Sequence, residues 1–182
     1  MQDLANYHNA MSRKNQLYRL IWNIVWAVFA RPLPRSIGST WKRFLLRLFG
    51  AKLAPTAVVY SSTRIYMPCH LEMDDHSCLA NEVECYNVAP IKIGKNSTVS
   101  QRTFLCSASH DISRPDLPLV FAPITIGNGV WVAAEAFVGP GVTINDNSVI
   151  GARACVFRDV ASGVVIGAVP GQVLKKRIFK EL

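Results

Sequence analysis

The first apolar pattern in the chain has the spacing of an α-helix. In residues 17–30, LYRLIWNIVWAVFA, apolar side chains recur at intervals of three and four, and Trp22 and Trp26 add a second apolar face. Pro32 and Pro34 predict the end of this helix. A bilayer span needs about 20 consecutive apolar residues, so we expect that this helix does not cross a membrane unaided.

A second short helix is expected directly after these prolines. It should begin near Ser39 or Thr40, either of which can cap a helix, and end at Gly50. Basic side chains accompany its apolar stripe. The stripe consists of Trp41, Phe44, Leu45, Leu48 and Phe49, with Lys42, Arg43 and Arg47 beside it.

From about residue 57 the pattern changes to a period of six. An aliphatic residue opens each of six consecutive units, at Ile126, Val132, Val138, Ile144, Ile150 and Val156. Earlier runs hold the same period, with two-residue slips at 71–73 and 91–93, and the longest interruption is residues 111–123. A period of six fits neither an α-helix nor a stack of helix pairs.

This period predicts short strands that are separated by turns. Three units close one triangular coil, each strand points an aliphatic residue inward, and successive coils stack on one another. Backbone groups then pair with the coils above and below. We therefore predict an all-β domain over residues 53–182, a parallel β-helix with a loop at 111–123 and a short C-terminal tail, preceded by a helical segment at 1–52.

The net charge of +8 lies entirely in the N-terminal segment. Residues 1–52 carry nine Lys/Arg and one acidic residue, whereas residues 53–182 carry eleven of each sign. Basic charge beside Trp, Phe and Leu is typical of helices that lie in a membrane interface. Packing on the β-domain or on neighbouring subunits, and docking of a partner protein, are the alternatives. A nucleic-acid protein would carry its charge along its working face, so we expect no nucleic-acid partner.

The cysteine pattern indicates a reducing compartment. There are five cysteines, an odd number, and no CxxC pair, which argues against a disulfide framework or a zinc ribbon. No secretory signal is evident. We expect a cytoplasmic protein, held peripherally at the inner face of the cytoplasmic membrane if residues 1–52 contact lipid.

Several motifs are more specific than the repeat. They are SHD at 109–111, APITIG at 122–127, VWVAAEAFVGPGVTI at 130–144 and IGARACVFRDV at 150–160. Together they resemble the bacterial hexapeptide-repeat acyltransferases, and RFLLRLFGAK at 43–52 is most similar to the exopolysaccharide O-acetyltransferases of the colanic acid type. The resemblance implies a left-handed β-helix, a homotrimer, acetyl-CoA as cosubstrate, no metal, and a sugar or lipid-linked saccharide as acceptor.

The resemblance also implies catalytic and acceptor-binding residues. His110 matches the family's general base, and a neutral imidazole suits removal of a hydroxyl proton near neutral pH. Asp111 either orients this imidazole or caps a turn of the loop. Asn87 resembles an asparagine that contacts the acceptor in the galactoside relatives, and a corner asparagine with a structural role is its alternative. We expect direct transfer in a ternary complex, since no Ser or Cys has the sequence context of a nucleophile.

A third set of residues would bind acetyl-CoA in a groove between subunits. Small residues would let the pantetheine arm approach the backbone, Trp131 would form a wall of the groove or lie at the trimer interface, and basic residues would meet the phosphates or remain solvated. The set is Trp131, Ala133, Ala134, Gly151, Ala152, Arg158, Lys175 and Lys176.

Two other functions fit the same fold. A non-catalytic trimeric scaffold could tether glycosyltransferases or attach to a membrane. A γ-carbonic-anhydrase-like metalloenzyme would need three zinc-binding histidines, and His8, His70, His76 and His110 lack the close pair that such a site requires.

Overall fold

Two helices precede the β-domain. The computed structural model describes residues 11–178, and places α1 at Arg13–Phe29 and α2 at Arg35–Leu48. The second helix begins at Arg35, earlier than the pattern predicts, because Pro34 (φ −64°) is already suited to the N-cap and its carbonyl accepts from the Gly38 N–H at 3.1 Å. At the other end Gly50 adopts a φ of +88° and its N–H donates to the Arg47 carbonyl at 2.9 Å.

Nineteen short strands follow within the described part of the chain. The first three coils contain β1 (Lys52–Leu53), β2 (Val58–Val59), β3 (Arg64–Ile65), β4 (Leu71–Met73), β5 (Cys78–Leu79), β6 (Glu84–Tyr86), β7 (Ile91–Ile93), β8 (Thr98–Val99) and β9 (Phe104–Cys106). The remaining strands are β10 (Ala108–His110), β11 (Leu119–Phe121), β12 (Ile124–Ile126), β13 (Trp131–Val132), β14 (Phe137–Val138), β15 (Thr143–Ile144), β16 (Val149–Ile150), β17 (Cys155–Val156), β18 (Val164–Gly167) and β19 (Gln172–Lys176).

These strands stack into three parallel sheets that form the sides of a triangular prism. Sheet A has the order β1-β4-β7-β12-β15, sheet B runs β2-β5-β8-β13-β16-β18 with β19 antiparallel at its edge, and sheet C has the order β3-β6-β9-β14-β17. We name the turns between the sides the A/B, B/C and C/A corners. This architecture confirms the predicted all-β fold with a β-helix behind two helices.

The register explains both the period and its slips. In the later coils, paired residues lie three six-residue units apart, as Thr125 pairs with Thr143. In the first coils the partners are two residues further apart, as Lys52 pairs with Glu72 and Glu72 with Lys92. Between sheets C and A, the first coil places its extra residues in a 3-10 turn at Pro68–His70, and the second places them in the bend at Val88–Ala89.

The core is a set of three aliphatic ladders, one on each side of the prism. In sheet A the inward residues are Leu53, Met73, Ile93, Ile126 and Ile144, all at most 7% exposed. Alternate residues point outward, as in any half-buried strand. The buried positions are therefore those that the six-residue period marks.

The two helices close the first end of this prism. Trp22 and Trp26 are buried, and their indole N–H groups donate to the carbonyls of Ile65 (2.7 Å) and Thr63 (3.1 Å). Buried indoles need such partners, so these hydrogen bonds fix α1 on the first coil. Lys42 of α2 is also buried, and its Nζ donates to Ser61 Oγ at 3.1 Å. Helices and coils thus share one hydrophobic core.

Candidate active site

The interruption at 111–123 forms the tip and return strand of a hairpin that leaves the prism at the C/A corner. Strand β10 pairs antiparallel with β11, so that His110 lies opposite Leu119. The Ala122 N–H then donates to the Ser107 carbonyl at 3.0 Å, which brings the chain back to the point where it left. Strands of three residues are too short for the alternation in the sequence to reveal them.

The His110 imidazole lies on this hairpin with a fixed tautomer. The side chain is exposed, and Nδ1 lies 2.6 Å from the Leu117 carbonyl oxygen. A carbonyl oxygen can only accept a hydrogen bond, so Nδ1 carries the proton of the neutral ring. The lone pair of the neutral imidazole is therefore on Nε2, the nitrogen that could receive a proton from a substrate.

Asp111 is engaged within the tip of the hairpin. Its Oδ1 accepts from the Ser113 backbone N–H at 2.9 Å and from the Ser113 hydroxyl at 2.6 Å. These hydrogen bonds stabilise the carboxylate and lower the pKa of Asp111 from its usual value. The contacts agree with a turn-capping role, and a catalytic role for Asp111 stays a prediction.

Replacement of Ser113 by alanine should raise the pKa of Asp111 towards that of an ordinary aspartate. The Asp111 pKa is depressed in the folded protein, so the stability that these hydrogen bonds contribute is present above the unfolded-state pKa and is lost as the pH falls through the folded one. A carbon-13 NMR titration of the carboxyl group measures the shift. Ser62→Ala, at the remote B/C corner, is the control. An unchanged Asp111 titration in Ser113→Ala would contradict this account.

Asn87 is a buried residue whose amide contacts the preceding coil. Its Oδ1 accepts from the Met67 N–H at 2.8 Å, and its Nδ2 donates to the Met67 carbonyl at 2.6 Å. Both contacts hold the backbone next to the 3-10 turn, so they favour the structural alternative. Contact with an acceptor stays a prediction for this residue.

The predicted pantetheine-binding residues come together near the B/C corner, where Ala133 is buried and Ala134, Gly151 and Ala152 are partly or fully exposed. Ala133 and Ala134 follow β13, while Gly151 and Ala152 follow β16, the next strand of sheet B. The Ala133 N–H donates to the Ile150 carbonyl at 2.8 Å. Trp131 is half-exposed on the same sheet, with its indole N–H donating to Ser100 Oγ at 2.9 Å.

The predicted basic residues divide between two places. Lys175 and Lys176 lie on β19, exposed and paired with β18 at the end of sheet B. Arg158 instead follows β17 and lies at the C/A corner, the corner from which the His110 hairpin leaves the prism two coils earlier. Within one chain, His110 and the small residues near the B/C corner therefore lie at opposite ends of the strands of sheet C.

A large cavity that the sequence did not reveal lies at the B/C corner of the first coils. It encloses about 870 Å³ between the linker that joins the helices and three successive corner turns. Arg102 and Glu82 line one wall and form an ion pair (3.0 Å), and Arg102 also pairs with Glu135 (3.5 Å) of the next coil, outside the lining. Other lining residues are Arg31, Tyr60, Ser61, Ser62, Asn81, Glu84 and Phe104. They are scattered over the sequence, and only the stacking of coils brings them together.

Two of the cysteines are buried thiols, and within the described residues they do not join the histidines in a metal-binding group. Burial raises the pKa of the Cys85 thiol to about 12 and also raises that of Cys106, so both thiols are neutral at working pH. Within residues 11–178, no group of three or more His, Cys, Asp or Glu side chains could hold a metal ion. His8, one of the histidines considered above, lies outside the described residues, as do the remainder of 1–10 and 179–182.

The chain is similar in sequence to known acetyltransferases. Residues 123–158 match the family described as bacterial transferase hexapeptide (six repeats). Over 183 residues, 100% of both chains, it is 35% identical to the Escherichia coli protein assigned as the colanic acid biosynthesis acetyltransferase WcaF. It is 37% identical to the E. coli galactoside O-acetyltransferase over 89 residues, 47% of this chain and 44% of that protein.

Solved structures have the same fold. The maltose O-acetyltransferase of Clostridium difficile 630 superposes with a TM-score of 0.81 at 24% identity, covering 92% of this chain and 90% of that one. A hexapeptide-repeat acetyltransferase of Vibrio cholerae, solved with acetyl-CoA, gives 0.80 at 21% identity, covering 95% and 94%.

These likenesses define the class of the protein. The chain belongs to the hexapeptide-repeat acetyltransferases, as the motifs predict. Within that family, its similarity to the colanic acid biosynthesis type extends over the entire length of the chain.

Proposed function

We propose that the protein transfers the acetyl group of acetyl-CoA to a sugar hydroxyl in exopolysaccharide assembly of the colanic acid type, with His110 as the general base. The observation that carries the proposal is the hydrogen bond from Nδ1 of His110 to the Leu117 carbonyl, which leaves the lone pair of the neutral ring on Nε2. The assignment of the full-length relative to colanic acid biosynthesis supports the pathway.

The reaction is a direct transfer. Nε2 of His110 removes the hydroxyl proton while the hydroxyl oxygen attacks the thioester carbonyl, and the imidazolium returns that proton to the departing CoA thiolate. The raised pKa values of Cys85 and Cys106 argue against either of these two thiols as an acyl carrier, because a neutral buried thiol is a poor nucleophile.

A homotrimer would complete the site. The His110 hairpin and Arg158 lie at the C/A corner, whereas the small residues Ala133 and Gly151 lie near the B/C corner. A threefold assembly that sets one corner of a subunit against the other corner of its neighbour would form a groove with the base on one side. Lys175 and Lys176 continue sheet B beyond those small residues, at positions suited to the phosphates of CoA.

Only in such a threefold assembly, where the C/A corner of a neighbour meets the B/C corner, could the cavity at the B/C corner hold the acceptor saccharide close to a His110. The cavity combines the aromatic rings of Tyr60 and Phe104 with hydroxyl, amide and charged groups, a lining that can both contact apolar sugar faces and bind hydroxyls. The volume of about 870 Å³ is within the range of small-ligand sites. Both nucleotide sugars and lipid-linked saccharides present such rings.

A CoA-release assay over a panel of acceptors tests the proposal. The full chain is incubated with acetyl-CoA and with nucleotide sugars, oligosaccharides or lipid-linked saccharides, and mass spectrometry identifies the product. We expect CoA release that requires an acceptor and yields a saccharide carrying one added acetyl group on oxygen. Release that no saccharide stimulates, or acetylation of an amine alone, would overturn it.

A further inference from the structure

The two N-terminal helices expose a continuous apolar surface, which we call the outer face. On α1 the exposed apolar residues recur at intervals of three and four, on the side opposite Trp26. The indole N–H of Trp41 on α2 donates to the Phe29 carbonyl at 2.9 Å, and its ring stacks on Phe44, which joins the surfaces of the two helices. The outer face consists of Leu17, Leu20, Ile21, Ile24, Val28, Phe29, Trp41, Phe44 and Leu48, each 42–67% exposed.

The packing of α1 on the prism does not use this surface. The opposite side of α1 carries Trp22 and Trp26, which already fill the end of the first coil and hydrogen-bond to it. The outer face therefore adds nothing to that contact, yet it holds Leu, Ile, Val, Trp and Phe in one patch. Contiguous apolar patches of this kind mark interaction surfaces.

The charge around the outer face is of one sign. Residues 11–53 contain no Asp or Glu. Of their nine Lys/Arg, Lys42, Arg43 and Arg47 hydrogen-bond to the β-domain and do not belong to the outer face. By helical geometry, Arg13 and Lys14 lie on the outer side of α1 at its start, and Arg31 follows its end; all three are exposed. An apolar face with basic residues at its edges matches the surface of a phospholipid bilayer, which has an apolar interior beneath anionic headgroups.

The charge also disfavours a second copy of the chain as the occupant. A two-fold dimer through this surface would oppose basic residues with basic residues, and like charges across an interface disfavour association. A threefold assembly would instead set the outer face against a different surface of the neighbour, and the oligomeric state of the variants below tests that contact. Nor does either helix insert as a span: within the described residues, the structure contains no helix with the length and apolar character that crossing a membrane requires.

We propose that the outer face of α1 and α2 docks on the surface of an anionic phospholipid membrane. The helices lie in the interfacial plane, with Trp41 and Phe44 among the apolar side chains that enter it and Arg13, Lys14 and Arg31 at the headgroup level. The proposal concerns binding alone and is independent of whether His110 is the catalytic base.

Co-sedimentation of the full chain with vesicles tests this docking. Vesicles of phosphatidylcholine with phosphatidylglycerol are compared with vesicles of phosphatidylcholine alone, at low and high salt. We expect the protein to bind the anionic vesicles and to bind less as salt rises. The double variant Ile21→Ser/Ile24→Ser should bind at least tenfold more weakly, and Arg13→Glu/Lys14→Glu should lose the preference for phosphatidylglycerol.

A matched variant controls for exposed apolar residues elsewhere. Val173 and Ile178 are 61% and 86% exposed and lie close to Lys175 and Lys176, so Val173→Ser/Ile178→Ser removes similar surface beside similar charge. This variant should bind as the unaltered protein does. Circular dichroism and analytical ultracentrifugation establish that each variant keeps its fold and its oligomeric state.

Two results would overturn the proposal. The first is an unaltered protein that does not sediment with anionic vesicles. The second is equal binding by the unaltered protein and Ile21→Ser/Ile24→Ser, and a changed oligomeric state of that variant would then assign the outer face to contact between subunits. Acetyl transfer is measured separately, so failure of docking and failure of the proposed reaction are distinguishable.

Discussion

Replacement of His110 by alanine is expected to lower kcat for acetyl transfer by about 10²–10⁴-fold, the range that a positioned general base contributes. The imidazole is exposed on a hairpin outside the aliphatic ladders, so its removal leaves the core intact. The hydroxyl nucleophile would then have to lose its proton to water. Steady-state kinetics with the acceptor identified in the CoA-release assay measure the effect, and thermal unfolding establishes that the variant remains folded.

A second histidine provides the matched control. His76 is also exposed, but it lies at the A/B corner with a φ of +56°, a conformation that asparagine tolerates. His76→Asn should therefore keep the acetyl-transfer rate within a factor of about two, well below the contribution of a positioned base. Equal kcat values for His110→Ala and the unaltered protein would remove His110 from the reaction.

Replacement of Ile126 by alanine is expected to reduce the free energy of unfolding by about 2–5 kcal/mol. Ile126 is 1% exposed in β12, between Ile93 of the coil below and Ile144 of the coil above. The substitution leaves a cavity in a stack where each coil is stabilised by its neighbours, so the loss affects both contacts. Urea unfolding at a fixed protein concentration measures it, since association shifts apparent stability.

A variant at the adjacent residue distinguishes loss of core packing from a general destabilisation of the strand. Thr125 lies in the same strand but points to the other side of sheet A and is only partly buried. Thr125→Ala should cost no more than about 1 kcal/mol, as is usual for positions outside the core. A Thr125→Ala loss as large as that of Ile126→Ala would refute the inward-outward assignment.

The stacked coils are the part of the fold that the sequence specifies most directly. Each coil packs only on the coils above and below it. The six-residue spacing of Ile126, Val132 and Val138 is therefore enough to predict the stack. The two-residue slips could also be read from the sequence, because they correspond to the wider turns between sheets C and A, the 3-10 turn Pro68–His70 and the bend Val88–Ala89.

Features that depend on contacts between distant segments could not be predicted from the sequence. A period of six does not say whether a corner asparagine faces solvent or backbone, and Asn87 binds the backbone of Met67 in the preceding coil. The apolar stripe of the second helix likewise gives no sign that Lys42 is buried against Ser61. The cavity at the B/C corner is lined by residues of the linker and of three coils, which are far apart in the sequence, so no short stretch of sequence predicts it.

The hairpin that carries His110 departs from the coil and rejoins it without disturbing the register. Ile124 on β12 pairs with Ile91 on β7 although the whole insertion lies between β9 and β12, and the Ala122 N–H is bonded to the Ser107 carbonyl at its base. The hairpin therefore leaves the pairing between the coils of the prism unchanged. Its length and residues can be exchanged during evolution, or by grafting from a related enzyme, while the scaffold that supports it stays the same.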